Sequence, residues 1–348
     1  MTRSYDKPPE LYDGLRLHSN ENTGGCSPRV IEALARLTPD QLAFYPPYSA
    51  AIGRCAEYYD VDPTWIHLTN GLDEGIMALA VAALRPSPNG FVPEAIVPEP
   101  AFEIFGFDTA VAGGRLVQVM PTPDFAFPLA DVLAAVTPNT RLVFLTNPNN
   151  PTGVSMPFEA IRAVARAVPA EALVLVDEAY AEFAGRTFIP ELPSFPNVVI
   201  GRTFSKAFGL AGIRIGCLIG APDTLEPLRH AVPVYSVNIA AVVAAQAALD
   251  DRAHVERYLA QVVESKALLY AAFDKMGMTY WMSDANFVLF NAGDRHGELV
   301  ARLAERGIYV RDRSSEAGCA GCIRVVAGVV DHTRRFIAAM EDILCAAR

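Results

Sequence analysis

The stretch LVLVDEAY, residues 173–180, decides the fold more than any other part of the sequence. Its first half, Leu173 to Val176, is apolar, and Asp177 and Tyr180 follow closely. A short run that is apolar on both faces is typical of a strand buried between two layers of helices. A carboxylate just beyond such a strand is costly to desolvate unless a cation lies beside it. The stretch therefore predicts a buried parallel strand whose carboxyl end carries chemistry.

Similar runs occur on both sides of this segment and alternate with helical patterns. The further strand candidates are Ile66 to Leu68, Ala95 to Val97, Leu116 to Met120, Leu142 to Thr146, Val198 to Ile200 and Ile215 to Ile219. The helix candidates are a helix opened by Ser27-Pro28 and the stretches Ala50 to Tyr59, Gly75 to Leu84 and Phe158 to Val168. Such alternation predicts an α/β fold, in which a mainly parallel sheet is flanked by helices.

The last third of the sequence predicts a second, smaller unit. Residues from about Asp251 to Gly277 have the apolar spacing of one long helix. Strand candidates follow at Asn286 to Phe290, Ile308 to Val310 and Ile323 to Val326, with helix candidates at Gly297 to Glu305 and Thr333 to Ala347. We expect a large domain over residues 40–255 and a smaller α+β domain formed by residues 1–39 and 256–348.

Composition and charge argue against several functions. Acidic residues outnumber basic ones 39 to 29, the net charge is −10 and no block of Lys or Arg occurs, so nucleic acid is not an expected partner. The apolar runs are shorter than the ~20 residues that cross a bilayer, so no membrane contact is expected. The first twenty residues contain no apolar leader segment, which predicts a cytoplasmic location. No GxGxxG motif joins a predicted strand to a helix, which excludes a dinucleotide-binding oxidoreductase.

The six cysteines predict reduced thiols rather than a metal site. Only Cys319 and Cys322 have CxxC spacing, and no second pair accompanies them. Structural zinc takes four ligands, so we expect a plain loop here and no bound metal.

Polar segments follow several of the predicted strands. The loop Asn147 to Gly153 is made rigid by its Pro and Gly residues, and the segment Thr69 to Gly75 leads into a helix whose first N–H groups could bind an anion. Lys206 lies among small and apolar residues, with Arg214 further along. Desolvation and a nearby cation lower the pKa of a lysine, so Lys206 is a candidate Schiff-base nucleophile. An anion cradle, an amine and a carboxylate that needs a cation are what a phosphorylated pyridine aldehyde requires.

Taken in order, these segments resemble a known family. The likeness runs through Asn20-Glu21-Asn22, Tyr45-Pro46, Gly71 to Gly75, Asn147 to Gly153, Asp177 to Tyr180, Ser205 to Gly216 and Ile323-Arg324. The chain resembles the fold-type I pyridoxal-phosphate aminotransferases, and within them the histidinol-phosphate aminotransferase group. The resemblance implies a homodimer with shared active sites that moves an amino group between histidinol phosphate, or a related amino acid, and 2-oxoglutarate.

The resemblance also implies how pyridoxal 5′-phosphate is held. Lys206 would bind the cofactor covalently and transfer a proton, Asp177 would pair with the pyridine nitrogen, and Phe102 would stack on the ring. Asn150 and Tyr180 would hydrogen-bond the ring oxygen. The residues implied for the phosphate are Gly71, Leu72, Asp73, Thr203, Ser205, Arg214 and, from the other subunit, Tyr45. We expect the Asp73 carboxylate to cap the helix N–H groups.

The substrate side leaves alternatives open. By resemblance, Arg324 would bind a carboxylate, with Tyr235 and Asn20 nearby. Arg311 has the spacing of a phosphate-binding arginine, but Arg311-Asp312-Arg313 is equally an exposed charge cluster. Relatives carry an N-terminal Pro-Tyr element that Tyr5 and Tyr12 match poorly. An aromatic amino acid aminotransferase, a threonine-phosphate decarboxylase and a non-catalytic ligand-sensing module are therefore the alternative functions.

Overall fold

The computed structural model describes residues 13–86 and 90–345. The strands are β1 Leu15–Arg16, β2 Ile66–Thr69, β3 Glu94–Pro98, β4 Arg115–Val119, β5 Thr140–Thr146, β6 Leu173–Asp177, β7 Val198–Thr203, β8 Gly216–Ile219, β9 Thr279–Tyr280, β10 Phe287–Asn291, β11 Ile308–Tyr309, β12 Arg311–Asp312 and β13 Cys322–Val326. The α-helices are α1 Pro28–Leu34, α2 Pro39–Ala43, α3 Ser49–Tyr59, α4 Leu72–Ala83, α5 Ile104–Ala112, α6 Leu129–Ala135, α7 Phe158–Ala167, α8 Ala181–Ala184, α9 Pro222–Arg229, α10 Ile239–Leu249, α11 Arg252–Met276, α12 His296–Ala304 and α13 Val330–Cys345. Short 3-10 helices occupy Pro63–Trp65, Ile189–Ser194, Ala211–Ile213 and Gly293–Arg295.

A seven-stranded sheet forms the centre of the molecule, in the order β2-β8-β7-β6-β5-β3-β4. Strands β4, β3, β5, β6 and β7 are parallel neighbours. Thr146 lies opposite Asp177, and Asp177 lies opposite Gly201. The loops after β5, β6 and β7 therefore leave the sheet at one edge, which is where open α/β sheets bind ligands. The predicted α/β fold is confirmed.

Strand β8 is the exception to the expected parallel arrangement. It runs antiparallel to both β7 and β2. The chain returns from β7 through residues 204–215 without a crossover helix, and such a direct return can join only antiparallel strands. This returning segment carries Lys206 across the carboxyl edge of the sheet.

Alternate residues of the central strands face two different cores. Val143 and Val174 belong to a cluster on one face, together with α3, α7 and α10, whereas Phe144 and Leu175 belong to a cluster on the other face, together with α4, α5 and α9. Because both faces are buried, the strands are apolar throughout, as the sequence indicated.

A third core lies around the four-stranded sheet β12-β13-β10-β9. Helix α11 links this core to the central sheet, since Val255 packs in the core that contains α3, α7 and α10, while Tyr258, Val262 and Phe273 pack in the third core. The expected strand at 308–310 is shorter than predicted and pairs with β1, outside this sheet. The domain boundaries at residues 40 and 255 stay a prediction.

Several short helices were not predicted, and for two further helices the difference from the sequence prediction has a clear physical reason. Helix α10 was not predicted as a helix, because it is apolar on all sides and therefore has no amphipathic period. Helix α4 begins at Leu72 rather than Gly75, because Gly71 adopts a positive φ of 77° and serves as its N-cap. No helix within the described residues is long and apolar enough to cross a membrane.

Candidate functional site

A polar cleft opens at the carboxyl edge of the central sheet, where the loops of that sheet meet β12 and β13. Its lining residues are His18, Ser19, Asn20, Glu21, Leu72, Asp73, Ile76, Phe102, Glu103, Asn150, Asp177, Ala179, Tyr180, Thr203, Ser205, Lys206, Ala211, Arg214, Arg311, Arg313 and Arg324. We call the side formed by the loops after β6 and β7 and by the start of α4 the strand-end wall. The side formed by Arg311, Arg313 and Arg324 is the arginine wall.

Lys206 reaches the cleft from the segment that joins β7 to β8. Its Nζ donates a hydrogen bond to the Ser19 carbonyl oxygen at 3.0 Å. Burial, and next to it the positive charge of Arg324, lowers the Lys206 pKa to about 8. At pH 7 about a tenth of this side chain is therefore an uncharged amine, which is the nucleophilic form.

Asp177 lies at the end of β6, where the sequence placed it. Its carboxyl group is buried and accepts a hydrogen bond from the Ala179 amide at 3.0 Å. Burial raises the Asp177 pKa to about 7, because the surroundings solvate the charged form poorly. A cation beside this carboxyl group would restore its charge, and the protonated nitrogen of a pyridine ring has that property.

Hydrogen bonds join Tyr180 and Asn150 to the other parts of the cleft. The Tyr180 hydroxyl accepts from Asn20 Nδ2 at 2.9 Å, and its ring packs edge-on against Phe287 with centroids 5.1 Å apart. Arg324 donates from Nη1 to Asn150 Oδ1 and from Nη2 to the His18 carbonyl oxygen, the latter at 2.6 Å. Each of the two side chains predicted to contact a ring oxygen thus hydrogen-bonds another residue that lines the cleft.

The start of α4 forms an anion cradle with Arg214. Among the residues that the structure describes, no side chain caps this helix, so its first N–H groups remain available. A Cβ atom on Gly71 would lie 2.3 Å from Arg214 Nη2, so only glycine lets the guanidinium approach the helix start. Arg214 also lies 3.4 Å from Ser205 Oγ. These groups fit a phosphate.

The expected role of Asp73 as a helix cap is wrong. Its carboxylate accepts a hydrogen bond from Arg214 Nη2 at 3.0 Å instead. Since Arg214 is 141 positions away in sequence, the local pattern could not indicate this pair. The ion pair holds the guanidinium over the helix start. Nearby, Thr203 Oγ1 accepts a hydrogen bond from the Ser205 amide at 3.1 Å, which helps to hold Ser205 beside Arg214.

The arginine wall comes from β12, β13 and the loop between them. Arg311 lies opposite Arg324 in the antiparallel register. Burial, together with Arg313 and Arg311, lowers the Arg324 pKa to about 9. Arg313 is buried, so the alternative that residues 311–313 form an exposed charge cluster is wrong for Arg313.

Phe102 lines the cleft, with its ring centroid 6.1 Å from that of Phe105.

Two predicted residues lie outside the cleft of their own chain. Tyr45 and Tyr235 stack on each other, with ring centroids 4.2 Å apart. Tyr45 is 76% exposed and Tyr235 is 52% exposed. Their contacts with cofactor or substrate stay predictions, and both would have to be made across a subunit interface. Tyr5 and Tyr12 lie outside the described residues.

Sequence reasoning missed four of the ionisable residues that line the cleft, namely His18, Glu21, Glu103 and Arg313. Burial and three arginines, Arg16, Arg311 and Arg324, lower the His18 pKa to about 4, so this imidazole is neutral near pH 7. The one available signal was closeness in sequence to predicted site residues. His18 lies two positions before Asn20, Glu21 follows Asn20, and Glu103 follows Phe102.

Comparison with known proteins gives one consistent result. The profile of the family described as Aminotransferase class I and II matches residues 12–339. A histidinol-phosphate aminotransferase of Symbiobacterium thermophilum is 40% identical over 338 residues, which cover 96% of this chain and 91% of the relative. One of Moorella thermoacetica is 35% identical and covers 95% of this chain and 86% of the relative.

A solved structure gives the same picture. The crystal structure of histidinol-phosphate aminotransferase from Sinorhizobium meliloti in complex with pyridoxal-5′-phosphate superposes with a TM-score of 0.86. The two proteins are 27% identical, and the match covers 96% of this chain and 92% of the other.

Proposed function

This chain belongs to the class I and II aminotransferase family, and on that premise we propose that it transfers an amino group between histidinol phosphate and 2-oxoglutarate. It is a pyridoxal-phosphate-dependent enzyme. One observation carries the proposal: the cleft combines an amine of lowered pKa and a buried carboxyl group of raised pKa with a wall of arginines. The first two serve the cofactor, and the arginines serve two substrates that are both anionic.

The residues of the strand-end wall fit the cofactor. When bound, pyridoxal phosphate supplies a ring that accepts electrons from the substrate carbon. Lys206 holds the cofactor aldehyde carbon and moves the proton at the substrate carbon. Asp177 keeps the proton on the ring nitrogen. Arg214 and the N–H groups at the start of α4, which Gly71 leaves accessible, bind the phosphate.

The arginine wall supports the choice of substrates. Glutamate and 2-oxoglutarate carry two carboxylates, whereas histidinol phosphate carries a phosphate and no carboxylate. Arg324 is held by Asn150 and the His18 carbonyl group, so its fork is oriented for a planar anion. Arg311 lies beside it on β12 and is the residue that we assign to the substrate phosphate.

We also propose that the enzyme is a homodimer with shared active sites. The exposed side chains of Leu42, Phe44, Tyr45, Val234 and Tyr235 support this, because monomers seldom leave so many large apolar side chains in water. Tyr45 stacks on Tyr235 outside its own cleft, where it is free to serve the neighbouring one. Sedimentation of the active enzyme tests the proposal, and an active monomer would contradict it.

A cytoplasmic location is part of the proposal. All six cysteines are free thiols, including the buried Cys319 and Cys322, which have CxxC spacing. Such thiols persist in a reducing compartment. Fractionation of the producing cells tests this, and activity confined to the exported fraction would contradict it.

A half-reaction tests the proposed substrate most directly. The purified holoenzyme is mixed with one amino donor at a time, and the visible absorbance of the lysine-bound cofactor is followed. Histidinol phosphate should discharge this absorbance fastest among histidinol phosphate, phenylalanine, tyrosine and threonine phosphate. Faster reaction with an aromatic donor would assign the aromatic alternative, and release of carbon dioxide from threonine phosphate would assign the decarboxylase.

A further inference from the structure

The proposed function assigns individual roles to Arg324 and Arg311 but none to Arg313, a buried residue of the same arginine wall. Its side chain is only 4% exposed, and it lines the cleft together with Arg324 and Lys206. Its Nε atom is buried and has no hydrogen-bond partner among residues 13–86 and 90–345. Buried donors are nearly always satisfied, so a guanidinium with an unused donor in a ligand cleft indicates a contact that forms when a ligand binds.

Two carboxyl groups hold the Arg313 guanidinium from one end. Nη1 donates to Glu103 Oε1 at 3.0 Å and lies 3.4 Å from Glu316 Oε1. The backbone is fixed as well, because the Arg313 amide donates to the Cys322 carbonyl oxygen at 2.9 Å. A side chain anchored in this way loses little conformational entropy when it binds an anion.

The arginine wall brings three guanidinium groups together, with the carboxyl groups of Glu103 and Glu316 beside Arg313. Burial raises the Glu316 pKa to about 7, so this group is only partly ionised near neutral pH. Arg313 and Arg311 also disfavour the charged form of Arg324. An anion bound among the three guanidinium groups would relieve this repulsion.

We propose that Arg313 is a specificity-determining residue that donates hydrogen bonds to the distal anion of the substrate. That anion is the phosphate of the amino donor in one half-reaction and the γ-carboxylate of glutamate or 2-oxoglutarate in the other. The inference rests on the transaminase function proposed above. A planar guanidinium suits both anions, since it can form paired hydrogen bonds to a carboxylate or a phosphate.

The test compares substrates that differ only in the distal anion. We measure kcat/KM for histidinol phosphate against histidinol, and for glutamate against norvaline. For each pair we take the ratio of kcat/KM for the substrate that carries the distal anion to kcat/KM for the one that lacks it. In Arg313→Gln this ratio should fall about ten- to a hundredfold. Arg313→Lys keeps the charge but loses the planar fork, so the ratios should fall by roughly three- to tenfold. Arg334→Gln is the matched control, because Arg334 is exposed and pairs with the exposed carboxylates of Glu264 and Asp331, and its ratios should equal those of the wild type.

If Arg313→Gln lowers kcat/KM equally for both members of each pair, the proposed role of Arg313 is overturned, since a merely structural residue affects both substrates alike. If Arg313→Gln does not fold, as judged by circular dichroism, unchanged ratios in folded Arg313→Lys overturn it instead. A wild type that rejects histidinol phosphate shows that the proposed donor is wrong. The glutamate and norvaline pair then decides the role of Arg313 independently.

Discussion

The strand-end wall and the arginine wall reach the same cleft by different routes. Asp177 and Lys206 lie within a few residues of the strands that place them, so local sequence fixes their position. Arg313 depends on Glu103, which is 210 positions away and belongs to the other region of the molecule. The positions of Asp177 and Lys206 are thus encoded by neighbouring residues, whereas the position of Arg313 is encoded by packing between distant segments.

The largest effect is expected at the strand-end wall. Lys206→Ala should abolish transamination, because no other group in the described cleft is a nucleophilic amine. Turnover with saturating histidinol phosphate and 2-oxoglutarate measures this. Lys266→Ala is the control, because Lys266 is a second lysine whose pKa is lowered by burial, and it should leave turnover largely intact. Measurable turnover in the Lys206 variant would remove this residue from the catalytic role.

A smaller but severe effect is expected at Asp177. Asp177→Asn should lower kcat by roughly 10²- to 10³-fold, because a neutral amide cannot hold the proton on the ring nitrogen. Cofactor content should stay high, since the cradle at Gly71 and Arg214 is unchanged. Absorbance of the bound cofactor and kcat are measured on the same samples. A near-normal kcat would show that Asp177 does not contact the ring.

The arginine wall should show effects that depend on the substrate. Arg311→Ala should lower kcat/KM for histidinol phosphate by about ten- to a hundredfold, since a charge-assisted contact worth ~1.5 to 3 kcal/mol is lost. The loss with phenylalanine should be much smaller. Equal losses with the two donors would show that Arg311 is structural, and the comparison between the two walls would then fail at this residue.

The pH dependence of cofactor capture should show the smallest effect. Only the neutral amine attacks the aldehyde, and burial lowers the Lys206 pKa to about 8. The rate at which cofactor-free enzyme captures pyridoxal phosphate should therefore rise about tenfold from pH 7 to pH 9 and then level off. Stopped-flow absorbance measures this rate. A rate that still rises steeply above pH 9 would indicate a lysine of ordinary pKa.

The sequence predicted those features of the cleft that depend on neighbouring residues. Asp177 and Thr203 were predictable because each ends a strand whose apolar run is visible in the sequence. The antiparallel direction of β8 was not, because an apolar run has the same pattern in either orientation. The partner of Asp73 and the burial of Arg313 were missed because each depends on a residue more than a hundred positions away.

Covalent labelling tests the central claim most directly. The holoenzyme is reduced with borohydride, digested and mapped by mass spectrometry. The cleft geometry predicts a single pyridoxyl label, on Lys206, whose Nζ lies in the cleft next to Ser19. Lys266 is the internal comparison, because its Nζ donates to the Ser283 carbonyl oxygen outside the cleft and should stay unlabelled. A label on Lys266 or on any other lysine, with Lys206 unmodified, would contradict this account.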